Sequence, residues 1–271
     1  MKIWLMDVDD YNLTLCSEDH DPADYSASQK GLPVTNWSTA QLKIWQKGKN
    51  KDFVGFLNGG MLILSDKAID AVKEFLDPNV QYLDCVVKNY STRLTLVNVV
   101  NLLDAVDYAC AQPDLTPWRK LRGFKHISFI EAVVSNQHIF KIPEFPSSYF
   151  YVSDQFREAI LNAGLAGVFF DEVWDSSQFQ KEREEKRALY KLIVEEVNKD
   201  KSEQMNWDDA LKIVHDGGAV ASSVWKVQND VDGSLMLGKL NLDKGYSWSR
   251  GINMIPTLSK FKWHVAERSD F

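Results

Sequence analysis

Residues 61–79 read MLILSDKAIDAVKEFLDPN, and this stretch decides the fold class. Met61–Leu64 is a short apolar run of the length a buried strand takes. Ser65 stands where a helix N-cap belongs, and Asp66 sets a negative charge against the positive end of the helix dipole. Ala68, Ile69, Val72, Phe75 and Leu76 recur at helical spacing and form one apolar face. Asp77-Pro78-Asn79 then stops the helix. Beyond it, Tyr82–Val87 and Arg93–Val100 read as strands from their β-branched and aromatic content. The pattern returns later. Phe150-Tyr151-Val152-Ser153-Asp154 repeats Leu62-Ile63-Leu64-Ser65-Asp66, and a helix with Phe156, Ala159, Ile160 and Ala163 inside ends at Gly164. A strand over Gly167–Val173 follows. Two strand–cap–helix–strand passages predict an α+β fold, a mixed or antiparallel sheet with helices packed on it.

Further out, Lys2–Met6 reads as the first strand, followed by an acidic loop. Gly31-Leu32-Pro33-Val34-Thr35-Asn36-Trp37 marks a turn into an extended stretch ending near Trp45, and Gly48–Lys51 is a basic turn. Lys181 to Lys201 is crowded with Lys, Arg and Glu around a narrow stripe of Leu189, Leu192, Ile193 and Val197. Residues 178–203 are therefore expected to be a charged, exposed connecting helix between a domain at 1–177 and a small α+β module at 204–271. In that module Asn206 is the expected N-cap of a helix with Trp207, Ala210, Leu211 and Val214 inside, ended by Gly217-Gly218. Strands are expected over Val220–Val227, Ser234–Leu242 and Phe261–Ala266, with a turn at Asp232-Gly233.

The 271 residues are 45% hydrophobic and 25% charged, the balance of a globular chain. No stretch approaches the roughly 18 consecutive apolar residues a bilayer crossing needs, so no membrane partner is expected. In the opening MKIWLMDVDD, acids interrupt the apolar run at once, unlike a secretory signal. Cys16, Cys85 and Cys110 are odd in number, widely spaced and suited to a reducing compartment, so a cytoplasmic location is expected. Charge is uneven. Asp7, Asp9, Asp10, Glu18, Asp19, Asp21 and Asp24 face only Lys2 in the first 24 residues, which hold nearly all of the net −7. Such a segment repels phosphate backbones, so nucleic acid is not an expected partner, while basic protein surfaces are attracted. These seven acids are the candidate partner-binding residues, set against the plainer reading of a solvated acidic loop.

Catalytic readings find little purchase. Ile3-Trp4-Leu5-Met6-Asp7-Val8-Asp9 is an apolar strand ending in D-x-D, the opening of aspartate-nucleophile phosphatases, where the first Asp attacks phosphorus beside Mg²⁺. Tyr11 replaces the usual small residue, and no later strand ends in the second acidic pair. A metal-dependent phosphohydrolase therefore stands only as an alternative, with surface carboxylates the better account. His20, His126, His138, His215 and His264 lack a second His or Cys at metal spacing, and no nucleophile elbow or phosphate-cradling glycine loop occurs, so no metal or cofactor is expected. Asp104 and Asp107 fall on adjacent positions of an expected helix, where acids more often hold a loop or an Arg than act in catalysis. Trp37, Trp45, Trp118 and Trp174 are expected in core and rim packing.

Taken together, the early Tyr11 and acidic loop, Gly31-Leu32-Pro33 with Trp37, Asp52-Phe53, Leu64-Ser65-Asp66-Lys67-Ala68, Val97-Asn98-Val99 with Asp104-Ala105-Val106-Asp107, His138-Ile139-Phe140-Lys141-Ile142, and Tyr151 through Trp174 form an ordered set. In order and spacing over residues 1–175 they resemble a bacterial polymorphic-toxin immunity family, the eleventh of the numbered immunity families. The resemblance implies a cytosolic binding protein, encoded beside a toxin and neutralising it as a complex, with no catalytic residue to carry over. Residues 204–267 resemble a small phage domain of Thoeris-defence inhibitors through Asn206-Trp207-Asp208-Asp209, Gly218-Ala219-Val220-Ala221 with Trp225, and Lys262-Trp263-His264-Val265. That resemblance implies an alternative function, sequestering a nucleotide signal with Trp225 and Trp263 at the ligand, although Ser222 stands where those domains often have a basic residue.

Overall fold

A computed structural model describes residues 1–8, 13–49, 52–199, 203–250 and 258–270. From the N-terminus come β1 (Lys2–Val8), β2 (Thr14–Ser17), α1 (Ser26–Gln29), β3 (Ala40–Gln46), β4 (Phe53–Phe56) and β5 (Leu62–Ser65). Then follow α2 (Asp66–Leu76), β6 (Val80–Val87), β7 (Leu94–Val99), β8 (Gln112–Leu115), β9 (Leu121–His126) and α3 (Glu131–Val134). Next are β10 (Ile139–Phe140), β11 (Phe150–Ser153), α4 (Asp154–Asn162), β12 (Val168–Asp175), α5 (Gln180–Val197) and α6 (Trp207–His215). The chain closes with β13 (Ala219–Ser222), β14 (Trp225–Asn229), β15 (Leu235–Leu240), β16 (Tyr246–Arg250) and β17 (His264–Ala266). The fold is α+β, with mostly antiparallel sheets. Two compact units result, one of residues 1–105 and 131–176, the other of 106–130 and 177–271.

In the first unit, β2-β3-β6-β7-β5-β4 close into a barrel, and β10-β11-β1-β12 form a separate antiparallel sheet. Both serines cap as expected: Ser65 Oγ accepts from Ala68 N at 3.1 Å, and Ser153 Oγ from Phe156 N at 3.3 Å. The two passages share a topology that their wording does not reveal. The strands on either side of each helix do not pair with each other. β5 and β6 both flank β7 antiparallel, and β11 and β12 both flank β1 antiparallel. Each passage is thus a split β-α-β unit holding a third strand in its middle.

The helices share one core with both sheets. Val72 and Leu76 of α2, Phe156 and Ile160 of α4, Leu62 and Leu64 of β5, Val97 and Val99 of β7, and Met6 of β1 all meet there. Ile63, Leu94 and Leu96 point the other way and fill the barrel with Leu15, Leu42 and Leu83. Strand β5 reads as unbroken apolar sequence because both of its faces are covered. The Gly31-Leu32-Pro33 segment is fastened to the barrel by amides. Gln81 exchanges two bonds with the backbone of Val34, at 2.7 and 3.1 Å, and the buried Asn98 donates to Leu32 O at 2.9 Å. Gly31 holds φ +69°, and a Cβ there would come within 3.0 Å of Leu102.

In the second unit, β16-β15-β14-β13-β17 form an antiparallel sheet. Asn206 caps α6, accepting from Asp209 N at 3.0 Å, and Trp207 packs on Trp263. Helix α5 sets Ile193 into a cluster with Met236, Leu240, Tyr246 and Trp248, while Leu189 and Leu192 stay exposed. The β8–β9 hairpin belongs here too. Arg119 donates to Tyr246 O at 3.0 Å and pairs with Asp243, and Lys120 reaches the buried Asp230 at 2.6 Å. The division at 177/178 read from sequence does not contain this 106–130 excursion.

Two local expectations need correction, and several short strands lie outside those expected. Val220–Val227 is not one strand but the β13–β14 hairpin, turning where Ser223 takes φ 53°. Its turn residues are Ser223 and Val224 rather than the Gly or Asn that would announce positive φ. Asp104 and Asp107 do not share a helix. Leu102 bridges Lys141, Val106 bridges Phe129, and Asp107 accepts from Arg187 Nε at 2.6 Å. Strands β2, β4, β8, β9 and β16 went unread, being four to six residues long and lacking clean alternation.

Candidate functional site

The described acids of the N-terminal segment lie near the end of β1 and in the loop that follows β2. Asp9 and Asp10 lie outside the described residues, as does Tyr11. Asp7, the last residue but one of β1, is exposed, its Oδ1 accepting from Val8 N at 2.8 Å. Glu18 pairs with Lys88 at 3.3 Å and Asp19 with Lys43 at 2.7 Å. The Lys43 hydrogen bond holds the Asp19 carboxyl below the usual carboxylate range. Asp21 is built into the fold. It accepts from Ala23 N at 3.0 Å, Gln41 N at 3.2 Å and the Tyr25 hydroxyl. Burial, then the bond to Asp21, pushes the Tyr25 hydroxyl up. Asp24 accepts from Ser26 N at 2.8 Å, and that bond lowers its carboxyl. The structure thus brings Glu18, Asp19, Asp21 and Asp24 onto one loop, with most of their oxygens engaged locally.

Beside the loop runs the barrel wall formed by β3 and β6. Leu42 points inward on β3, and Leu83 and Val87 point inward on β6. Alternation therefore sends Lys43 and Trp45, and Val86 with Lys88, to the outside. Trp45 is 63% exposed and Val86 54%; the register sets Val86 opposite Gln41, where the acidic loop is bonded to β3, and Trp45 four residues further along that strand. Sequence reading assigned Trp45 to core or rim packing. Its position near the end of β3, past the inward Leu42 and Ile44, is the signal that points to the surface.

A cleft of about 300 Å³ opens in the same unit between the end of β1, strand β4, the turn at Gly59-Gly60 and residues 147–150. Met6, Phe56, Met61 and Phe150 give it apolar walls, and Asp7, Thr14, Ser147 and Ser148 are its polar residues. Its floor is pinned from behind. Gly60 N donates to Ser147 O at 2.9 Å, and the fully buried Lys141 donates to Gly60 O at 2.5 Å and Ser28 O at 3.3 Å. Burial pushes the Lys141 amine down to about 7. Apart from Asp7, none of these positions was singled out as a binding site from sequence. Glycines at 59 and 60 and serines at 147 and 148 are ordinary turn composition, and only the fold joins them.

The remaining candidates are packed inside. Trp225 and Trp263 are 3% and 0% exposed. Lys239 lies 4.4 Å over the Trp225 ring, and Trp263 Nε1 donates to Leu258 O at 3.3 Å. His138 binds the Ser153 hydroxyl at 3.1 Å and lies edge-on to Phe75. Among the described residues, no three His, Cys, Asp or Glu side chains gather as a metal site. No helix among them is long and apolar enough to cross a membrane.

In comparison with known proteins, residues 40–175 match the Immunity protein family (Imm11), half of the chain. The match begins at β3 and ends at β12, so it takes in most of the barrel, both capped helices and the β8–β9 hairpin. No curated protein matches the chain.

Proposed function

The chain belongs to the Imm11 immunity protein family, whose role is toxin immunity, and from that premise we propose that it neutralises a cognate toxin by stoichiometric binding in the cytoplasm, without catalysis. The family match carries this reading. The exposed Asp19 and Asp24 and the half-buried Glu18, with the exposed Val86 opposite Gln41, support a toxin surface that is basic beside an apolar contact. Rim charges mainly set association rate.

The test is co-expression with the toxin encoded beside it. The two should co-purify as a complex of fixed composition, and growth should be rescued in proportion to complex formed. Asp19→Asn with Asp24→Asn should slow association at low salt. The difference should fade as the Debye length drops to about 3 Å near molar salt. Rescue without any complex would refute binding as the mechanism. Unchanged association rates at low salt would leave the immunity role standing but remove the acidic loop from the interface.

A further inference from the structure

The cleft beside Asp7 carries a more specific assignment, one that rests on the toxin-binding reading. Its volume of about 300 Å³ lies at the lower bound of ligand pockets, which run to about 1,000 Å³. That is ample room for one long side chain. The lining has two characters. Met6, Phe56 and Phe150 line it with apolar and aromatic surface for an alkyl stem, the Phe150 ring already having the Lys141 amine 5.1 Å from its centroid. Asp7, Ser147 and Ser148 offer a carboxylate and two hydroxyls, all able to accept hydrogen bonds. A planar group of several N–H donors on an apolar stem suits both, and in proteins that is the arginine side chain.

We propose that this cleft receives an arginine of the toxin, its guanidinium at Asp7, Ser147 and Ser148 and its stem along Met6, Phe56 and Phe150. The charge of the chain favours such a guest, since the net −7 lies almost wholly in the segment that begins with β1. Lys141, behind the floor, does not oppose it once neutral. Its amine is spent on the carbonyls of Gly60 and Ser28, and burial favours the uncharged form. The backbone floor is set before any guest arrives, because Gly60 is tied on one side to Ser147 and on the other to Lys141. A preformed pocket loses less entropy on binding than a loop that must order.

Two arms test the proposal separately from the immunity role. In the first, the protein alone is titrated by NMR with N-acetyl-arginine amide and, as control, N-acetyl-citrulline amide, which keeps the shape and loses the charge. The arginine probe should shift the amides of Gly59, Ser147 and Ser148 and the control should not. Equal shifts from both probes, or shifts only elsewhere, overturn the assignment. In the second arm, Asp7→Asn and Ser148→Trp are compared with the parent chain for toxin affinity, with circular dichroism confirming the fold of each. Both should weaken binding at least about tenfold, as loss of an interface anchor does. Undiminished affinity in two folded variants overturns the arginine pocket while toxin binding stands. If the parent chain itself fails to bind toxin, the immunity reading falls and the first arm alone decides the cleft.

Discussion

The acidic loop and the cleft lie in the same unit and both present carboxylates, yet they use them differently. On the loop, Asp21 receives two backbone N–H groups and a tyrosine hydroxyl, Asp24 receives another N–H, and Asp19 and Glu18 hold lysines. The cleft gathers a single carboxylate, Asp7, which accepts from Val8 N, with the Ser147 and Ser148 hydroxyls 3.4 Å apart, around an opening whose shape is fixed from behind by backbone and a buried lysine. Charge density in a sequence therefore measures how many acids are present. Availability depends on what the fold has already asked of them.

The largest effect expected from this contrast comes from the floor of the cleft. Lys141 binds its proton less tightly folded than unfolded, so below about pH 7 its burial costs stability in full, and the cost is relieved as pH rises from 7 toward 10.5. Lys141→Met should remove this dependence. The stability of the parent chain should gain a few kcal/mol relative to the variant across that window, measured by urea denaturation at stepped pH. Parallel curves would mean that Lys141 keeps its proton in the fold. Next comes the loop. Asp21→Ala strands three donors, one on the largely buried Tyr25, and should cost about 2–3 kcal/mol. A neutral result would show that the loop's acids are as replaceable as surface charges.

Smaller still are the helix caps, which serve both regions from outside. Ser65→Ala and Ser153→Ala should each cost about 1 kcal/mol and leave partner affinity intact below the melting transition. Loss of affinity at unchanged stability would place one of these serines in the interface. The smallest expected effect is at Asp19. Its ion pair with Lys43 is exposed, and such pairs contribute little, so Asp19→Asn should leave the thermal midpoint where it was. A clear drop would make Asp19 a structural residue like Asp21.

What the sequence disclosed follows the range of its signals. The capped helices were legible because Ser-Asp before an apolar periodicity is a local pattern, as was Asn206 before Trp207. The barrel was not. Its closure depends on β4 pairing with β2 and β3 with β6, both parallel, and parallel partners far apart in sequence leave no mark on either strand. The same holds for the split topology, since nothing in Phe150–Asp154 says that β1, from the other end of the chain, will lie between β11 and β12. The charged run at 180–197 was read from its narrow apolar stripe, yet Ile193 and Tyr190 suffice to seat it on a sheet. Lys141 illustrates the remaining gap. In Ile139-Phe140-Lys141-Ile142 it looks like a surface residue between apolar neighbours, and only the carbonyls of Ser28 and Gly60 explain its place.

Neutralisation by a saturable complex is the central claim, and titration of the cognate toxin's activity with the purified protein tests it most directly. Activity should fall linearly and end at a fixed molar ratio that does not move with incubation time or with dilution above the dissociation constant. Progressive loss of toxin activity at substoichiometric amounts, growing with time, would contradict the account, because a protein that only binds cannot turn over.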